Sequence, residues 1–178
     1  RLGELEDSQL VARHIGSSAR VCVASASYLS KNGAPQTPNE LKNHNCITYT
    51  HLFSSVWPFR DAKGLVSIKV AGNFRANSGY AIRDAVMNDV GVALVPALLV
   101  KDEIESGTLV SILNDYAPDP IRITAVYPST RLTPRKVKLF VDFIKDEFVK
   151  VPLLHPSKPS RPVPRLRSKP GVVVDVNK

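Results

Sequence analysis

Asn77-Ser78-Gly79 is the stretch whose residue types could handle a ligand. These small polar residues open a helical pattern, where backbone N–H groups lack intrahelical acceptors and the helix dipole favours negative charge. Small side chains let an anion come close to those donors. Asn and Ser are equally ordinary helix caps, so the same residues also fit a capped start with no guest. The residues alone leave both readings open.

Other reactive side chains form weaker patterns. His14, His44, His51 and His155 are scattered, and His44-Asn45-Cys46 is the nearest approach to a ligand pair, without a second pair to complete it. No metal site is expected. Cys22 and Cys46 lie in the apolar runs RVCVAS and NCITY, where a small thiol packs well. They are expected to be reduced core residues, which points to a cytoplasmic compartment; a redox switch is the alternative. Neither cysteine has a base at a spacing that would activate it. The sequence has no GxSxG, no HExxH and no glycine loop of Walker or Rossmann type, and the glycines of residues 72–79 have the wrong spacing for a phosphate cradle. Catalysis and a cofactor are therefore not expected.

The 178 residues suffice for one ordinary domain or two small lobes, and 43% hydrophobic with 22% charged side chains is a globular balance. No apolar run approaches the roughly 20 residues of a membrane-spanning helix. The chain opens on Arg1 rather than Met, with no signal pattern in RLGELEDSQ, which suggests a fragment or a processed product. The net charge of +8 resembles a nucleic-acid footprint, but six Lys/Arg against Asp175 place +5 of it in residues 151–178, leaving +3 for the other 150. The basic tail has no interleaved aromatics, so it reads as a solvated segment rather than a docking surface.

The elements that would position Asn77 follow from periodicity. Strands are expected at Leu10–Ile15, Arg20–Ser25, Cys46–Thr50, Leu109–Leu113 and Ile121–Tyr127. Residues 28–32 fit one helical turn closed by Gly33, and TPNELKNH carries a capping box, with Thr37 as cap, Pro38 at the first helical position and Glu40 three residues after the cap. Val56-Trp57-Pro58-Phe59-Arg60 reads as an edge strand, because Pro58 cannot donate to a ladder, and Asp61 to Gly64 as a turn. A half-buried strand follows from Val66 to near Phe74. Ile82, Ala85 and Val86 make a helical stripe after Asn77, leading into the apolar strand that Pro96 stops. Ala97–Glu105 is a helix ended by Gly107. The last helix starts at Thr133-Pro134, with Val137, Phe140, Val141, Ile144 and Phe148 as its buried stripe. Beyond Lys150, HPSKPSRPVPRLRSKP has five prolines in 16 residues and no apolar period, so residues 149–178 are read as disordered. Alternating strands and helices favour an α/β architecture with substantial parallel pairing.

This order of segments is similar to a known family. The run LVARHIG, RVCVASASYLSKNGAPQTPNELKNHNCITY, W-x-F, G-x-F-x-A-N-S-G-x-x-I-R-x-A-V, G-V-A-L-V-P, G-x-L-V-x-I-L, A-V-Y-P-S and T-P-R-K-V-K-L-F-V-D-F-I resembles the effector-binding domain of LysR-type transcriptional regulators. The resemblance covers residues 1–148. It implies a fold similar to type 2 periplasmic binding proteins, two α/β lobes joined by two crossover strands, with one lobe incomplete. Arg20–Ser25 would be the outward crossover and Ile123–Tyr127 the return; one lobe would span about 24–124, and residues 1–20 and 126–148 would belong to the other. The winged helix-turn-helix, the linker helix and the first half of one lobe would be absent, so α-helical residues after Thr133 would lack part of their covering and the chain should be sticky.

The same resemblance implies a function. A small effector, often an organic acid, would bind in the cleft between lobes at Asn77, Ser78 and Gly79, with Ser25 and Ala26 facing that cleft from a neighbouring strand end. Trp57 could serve either packing or the pocket. The effector would change the angle between lobes, and DNA would be touched only through the absent domain of a homo-oligomeric parent protein. A solute-binding protein of a transport system, which shares the fold, is the alternative; an enzyme on this fold would need catalytic residues that the sequence does not offer.

Overall fold

A computed structural model of the chain describes residues 10–50, 55–128 and 134–150. The proline-rich tail and Thr133 lie outside the described residues. In chain order the elements are β1 (Leu10–Ser18), β2 (Arg20–Ser25), α1 (Ala26–Asn32), a 3-10 turn (Pro38–Asn43), β3 (Cys46–Tyr49), β4 (Val56–Asp61), β5 (Gly64–Lys69) and β6 (Arg75–Ala76). Then come α2 (Gly79–Met87), β7 (Val92–Pro96), a 3-10 turn (Ala97–Leu99), α3 (Lys101–Glu105), β8 (Leu109–Ile112), a third 3-10 turn (Asn114–Tyr116), β9 (Ile121–Pro128) and α4 (Arg135–Val149).

The central layer is a five-stranded sheet in the order β6-β3-β7-β2-β8. Its inner strands β3, β7 and most of β2 are buried on both faces, so their side chains alternate between two cores rather than between core and water. On one face Cys22, Ala24, Cys46, Val92 and Leu94 pack under Trp57 and Phe59 of the β4–β5 hairpin. On the other, Val23, Ile47, Ala93 and Val95 pack under Ile82 and Val86 of α2. Each large side chain buried this way contributes about 1.5–3 kcal/mol. Trp57 is therefore a packing residue, 1% exposed. Among the described residues its strand pairs with β5 alone, which tolerates Pro58 as an edge position should.

The pairing is mixed rather than mainly parallel. β3 runs parallel to β6 and β7, but β2 runs antiparallel to both β7 and β8. The cause is the entry of the chain. β1 pairs antiparallel with β9 in a separate two-stranded ribbon, with a bulge between His14 and Gly16, and feeds β2 into the sheet against its neighbours' direction. The partner of the return strand is thus β1, while Arg20–Ser25, expected as the outward crossover, is an inner strand of the sheet.

Several local expectations shift in the same way. Thr37 makes no side-chain cap bond, and the segment after it is a 3-10 turn. Its Oγ1 instead donates to Glu40 Oε1 at 2.8 Å, while Glu40 Oε2 accepts from the backbone N–H of Gln36 at 2.9 Å. The carboxylate has captured both partners of the box, one residue too early to support an α-helix. The strand after Gly64 stops at Lys69 instead of running to Phe74. Ala97–Glu105 divides into a 3-10 turn and a short helix at Val100. On α4, Val141 is buried, but Phe140 is 61% exposed and lies outside the buried stripe.

Candidate functional site

β6 delivers Asn77 to the start of α2, held against β3 by the Thr50 N–H donating to the Ala76 carbonyl at 2.9 Å. Ser78 is the N-cap: its backbone is extended (φ −105°, ψ 126°), its Oγ accepts from the Ala81 N–H at 3.5 Å and its carbonyl accepts from the Ile82 N–H at 3.1 Å. The N–H groups of Gly79 and Tyr80 precede any possible intrahelical acceptor. Gly79 is required by proximity rather than by backbone angle. A Cβ at that position would stand 2.9 Å from both the Tyr49 hydroxyl and Leu99 Cδ2.

Those neighbours bound a cavity of about 570 Å³. Tyr49, Asn77, Gly79, Tyr80 and Arg83 line it from β3 and the start of α2, with Pro96, Leu98 and Leu99 as apolar surface and Lys101, Asp102 and Glu103 from α3. The volume falls in the range of small-molecule sites, and mostly apolar walls with a few polar groups are what such sites present. Burial pushes the Tyr49 phenol above its ordinary value, so its hydroxyl stays neutral beside the helix start. The cavity lies where β3, β6 and β7 end and where the ribbon enters. Arg20 stands opposite Pro96, and the Ala97 N–H donates to the Ala19 carbonyl at 2.8 Å.

Ser25 and Ala26 are not at this end. Because β2 is antiparallel, Ser25 lies opposite Leu109, at the far edge of the sheet. There its Oγ caps α1 by accepting from the Tyr28 N–H at 3.0 Å and donates to the Asp89 carboxylate. Asp89 follows the carboxyl end of α2, so the two groups of expected site residues are separated by a helix of nine residues, about 13 Å long. Asn77, Ser78 and Gly79 cluster; Ser25 and Ala26 form a different structure. Asp89 adopts a left-handed backbone (φ 61°), and the hydroxyls of Ser25 and Ser27, with Lys31, hold its carboxyl below the usual carboxylate value. This is a helix-end joint between α1 and α2.

Tyr49, Tyr80, Leu98, Leu99 and Arg83 were not singled out from sequence. Tyr80 and Arg83 are three apart on α2, a spacing that puts them side by side; the Arg83 guanidinium lies 5.2 Å from the Tyr80 ring centre. Tyr49 and Leu99 carry no comparable signal, since only the tertiary fold brings them to Gly79.

Cys22, Cys46 and His44 are packed among other residues. Burial pushes the Cys46 thiol up to about 12 and Cys22 higher still, which suppresses the nucleophilic thiolate. His44 packs at a tilt against Tyr28, with ring centres 5.9 Å apart. Among the described residues no three His, Cys, Asp or Glu side chains group as a metal site, and no helix is long and apolar enough to cross a membrane.

Comparison with known proteins identifies the family. The family model described as the LysR substrate binding domain matches residues 1–149. The chain is 35% identical over 149 residues to the HTH-type transcriptional regulator CrgA of Neisseria meningitidis serogroup C (strain 8013), covering 83% of this chain and 50% of that protein. It is 30% identical over 152 residues to the HTH-type transcriptional activator AaeR of Escherichia coli K12, covering 85% of this chain and 49% of the relative. Among solved structures, the CrgA regulatory domain from Neisseria meningitidis superposes with a TM-score of 0.71 at 33% identity, over 82% of this chain and 73% of that one. The regulatory domain of AphB in Vibrio vulnificus gives 0.68 at 32% identity, over 83% and 73%. The chain spans about half the length of the curated relatives it matches. Those relatives are transcriptional regulators rather than transport proteins.

Proposed function

Because the chain belongs to the LysR substrate-binding domain family, we propose that it senses a small organic acid in the cavity at the amino end of α2. The observation that carries this reading is the coincidence of three features at one end of the sheet: first-turn amides without an intrahelical acceptor, a cavity of about 570 Å³ and the entry of the β1–β9 ribbon. A carboxylate seated on the Gly79 and Tyr80 amides would be favoured by the helix dipole, and its body would lie along Leu98 and Leu99. Ser25 and Ala26 take no part in it.

The ribbon joins this sheet to the segment that carries α4, so a guest beside Ala97 and Pro96 is well placed to bias how the two parts meet. On this reading the sheet lobe begins with β2 at Arg20 rather than at about residue 24, the β1–β9 ribbon is the crossover, and α4 belongs to the other lobe. Ligand affinity that differs between two lobe arrangements supplies the switch. In the whole regulator the output is DNA binding through an amino-terminal winged helix-turn-helix in a cytoplasmic homo-oligomer.

The test is calorimetric titration of the chain with cyclohexanecarboxylate, in wild type and Asn77→Asp. A new carboxylate at the helix start opposes the guest's charge, and an affinity loss of about tenfold is expected. Equal affinity for both proteins would remove the guest from this position.

A further inference from the structure

Asp119 sits where the β1–β9 ribbon meets the sheet. Ser18 lies opposite Ile121 in the last pairing of the ribbon; Ala19 alone separates Ser18 from β2, and Pro120 alone separates Ile121 from Asp119. Arg20, half-buried at the start of β2, donates from Nε to the Asp119 carbonyl at 3.0 Å. Arg60, on the hairpin that covers one face of the sheet, donates to both carboxylate oxygens of Asp119, from Nε at 3.2 Å and from Nη2 at 2.6 Å. A forked guanidinium on a carboxylate fixes direction as well as distance. Burial lowers the Arg20 guanidinium from its ordinary value, and the Asp119 charge opposes that shift. The backbone around Asp119 has little slack. Pro118 and Pro120 hold their own φ at about −65°, and a residue before proline is confined to extended conformations. The outward link is different: Ala19 is exposed, and only its carbonyl is tied, accepting from the Ala97 N–H at 2.8 Å. A ribbon pivoting on one such residue is steadied by whatever holds its other strand.

We infer that Asp119 is the positioning residue of this crossover: with Arg20 on its carbonyl and Arg60 on its carboxylate, it sets the angle between the β1–β9 ribbon and the sheet. This rests on the reading of the ribbon as the crossover between lobes, and not on the identity of the guest. Any change of lobe angle then has to be made against these contacts. The Arg60 and Asp119 side chains are 43% and 36% exposed, so water competes for the pair and a modest bias can exchange it. The clasp is firm enough to define a resting angle and weak enough to be released.

The experiment measures backbone amide residual dipolar couplings on the full chain, comparing β1 and β9 with β2, β3 and β7, in wild type, Asp119→Ala, Arg60→Gln and the double variant. In wild type both sets should fit one alignment tensor. In each single variant the ribbon couplings should shrink relative to those of the sheet or fit a rotated tensor, while the sheet keeps its wild-type couplings. The double variant should go no further than the singles, because both changes break the same contact; two unrelated structural losses would add. Cross-strand contacts between β1 and β9 should persist in every variant. Ribbon couplings that still fit the wild-type tensor in both single variants, or effects that add in the double, overturn the inference while leaving the crossover reading intact. A wild-type ribbon that already aligns independently of the sheet overturns it as well. Absence of the β1–β9 contacts in wild type removes the crossover reading itself.

Discussion

Every residue of β7, Val92–Pro96, is buried in the five-stranded sheet, whereas on α4 Leu139, Phe140 and Phe143 stand 59%, 61% and 59% exposed. β7 is apolar throughout and α4 is amphipathic by sequence, and both carry enough apolar surface to build a core. The sheet closes because it is covered on both faces, by the β4–β5 hairpin and by α2 with the segment after β7. α4 packs on β1 and is tied to it by the Arg13–Asp142 ion pair; Val141 is buried, Val137, Ile144 and Phe148 are half-buried, and Leu139, Phe140 and Phe143 stay exposed. A helical stripe requires a partner surface as wide as itself. The cavity proposed to hold the ligand is lined from the sheet region, by β3, α2 and the segments after β7.

This contrast sets the expected sizes of perturbation. Ile82→Ala empties a fully buried position between α2 and the sheet and should cost about 2–5 kcal/mol in denaturant unfolding. A loss below about 1 kcal/mol would mean that the sheet region is less closed than described. Gly79→Ala should cost less, about 1–3 kcal/mol, because the new Cβ must displace the Tyr49 hydroxyl and a Leu99 methyl, both ends of side chains. It should also shrink the inner cavity and weaken acid binding more than it weakens folding. Unchanged acid binding would place the guest elsewhere.

Asp89 gives the pH dependence. Its carboxyl is held below the ordinary value by Ser25 and Ser27, so ionised Asp89 favours the folded state. That contribution is complete above the ordinary carboxylate value of about 3.9 and is lost as pH falls through the lower folded value. Asp89→Asn, which tolerates the left-handed backbone, should lower stability near neutral pH and flatten the acid limb of the stability curve. An unaltered acid limb would break the proposed α1–α2 joint. The smallest thermodynamic effect should come from α4. Phe140→Ser with Phe143→Ser should change unfolding by no more than about 0.5 kcal/mol per site, yet reduce binding of a hydrophobic dye and self-association. A wild-type chain that binds no dye would show that this face is covered.

How much of this could be read from the sequence depends on the range of the cause. The strands at Arg20, Cys46 and Ile121, the hairpin around Asp61–Gly64 and the Ser78 start of α2 follow from alternation, turn residues and caps, which act over a few positions. The family resemblance supplied the fold class. The direction of β2 could not be read, because alternating burial looks the same in either direction; with it went the placement of Ser25 and Ala26 beside Asn77. Tyr49 and Leu99 reach Gly79 from β3 and from the turn after β7, contacts that periodicity does not encode. The TPNELKNH segment is a 3-10 turn rather than an α-helix, with Glu40 accepting from the Gln36 amide and the Thr37 hydroxyl so that Thr37 does not cap.

The most direct test is an amide chemical-shift titration of the chain with cyclohexanecarboxylate. The account predicts saturable shifts concentrated at Asn77 to Tyr80 and at Leu98 and Leu99, with Ser25, Ala26 and Asp89 unmoved at the other end of α2. Shifts centred on Ser25 and Ala26, or none at residues 77–80, would contradict it.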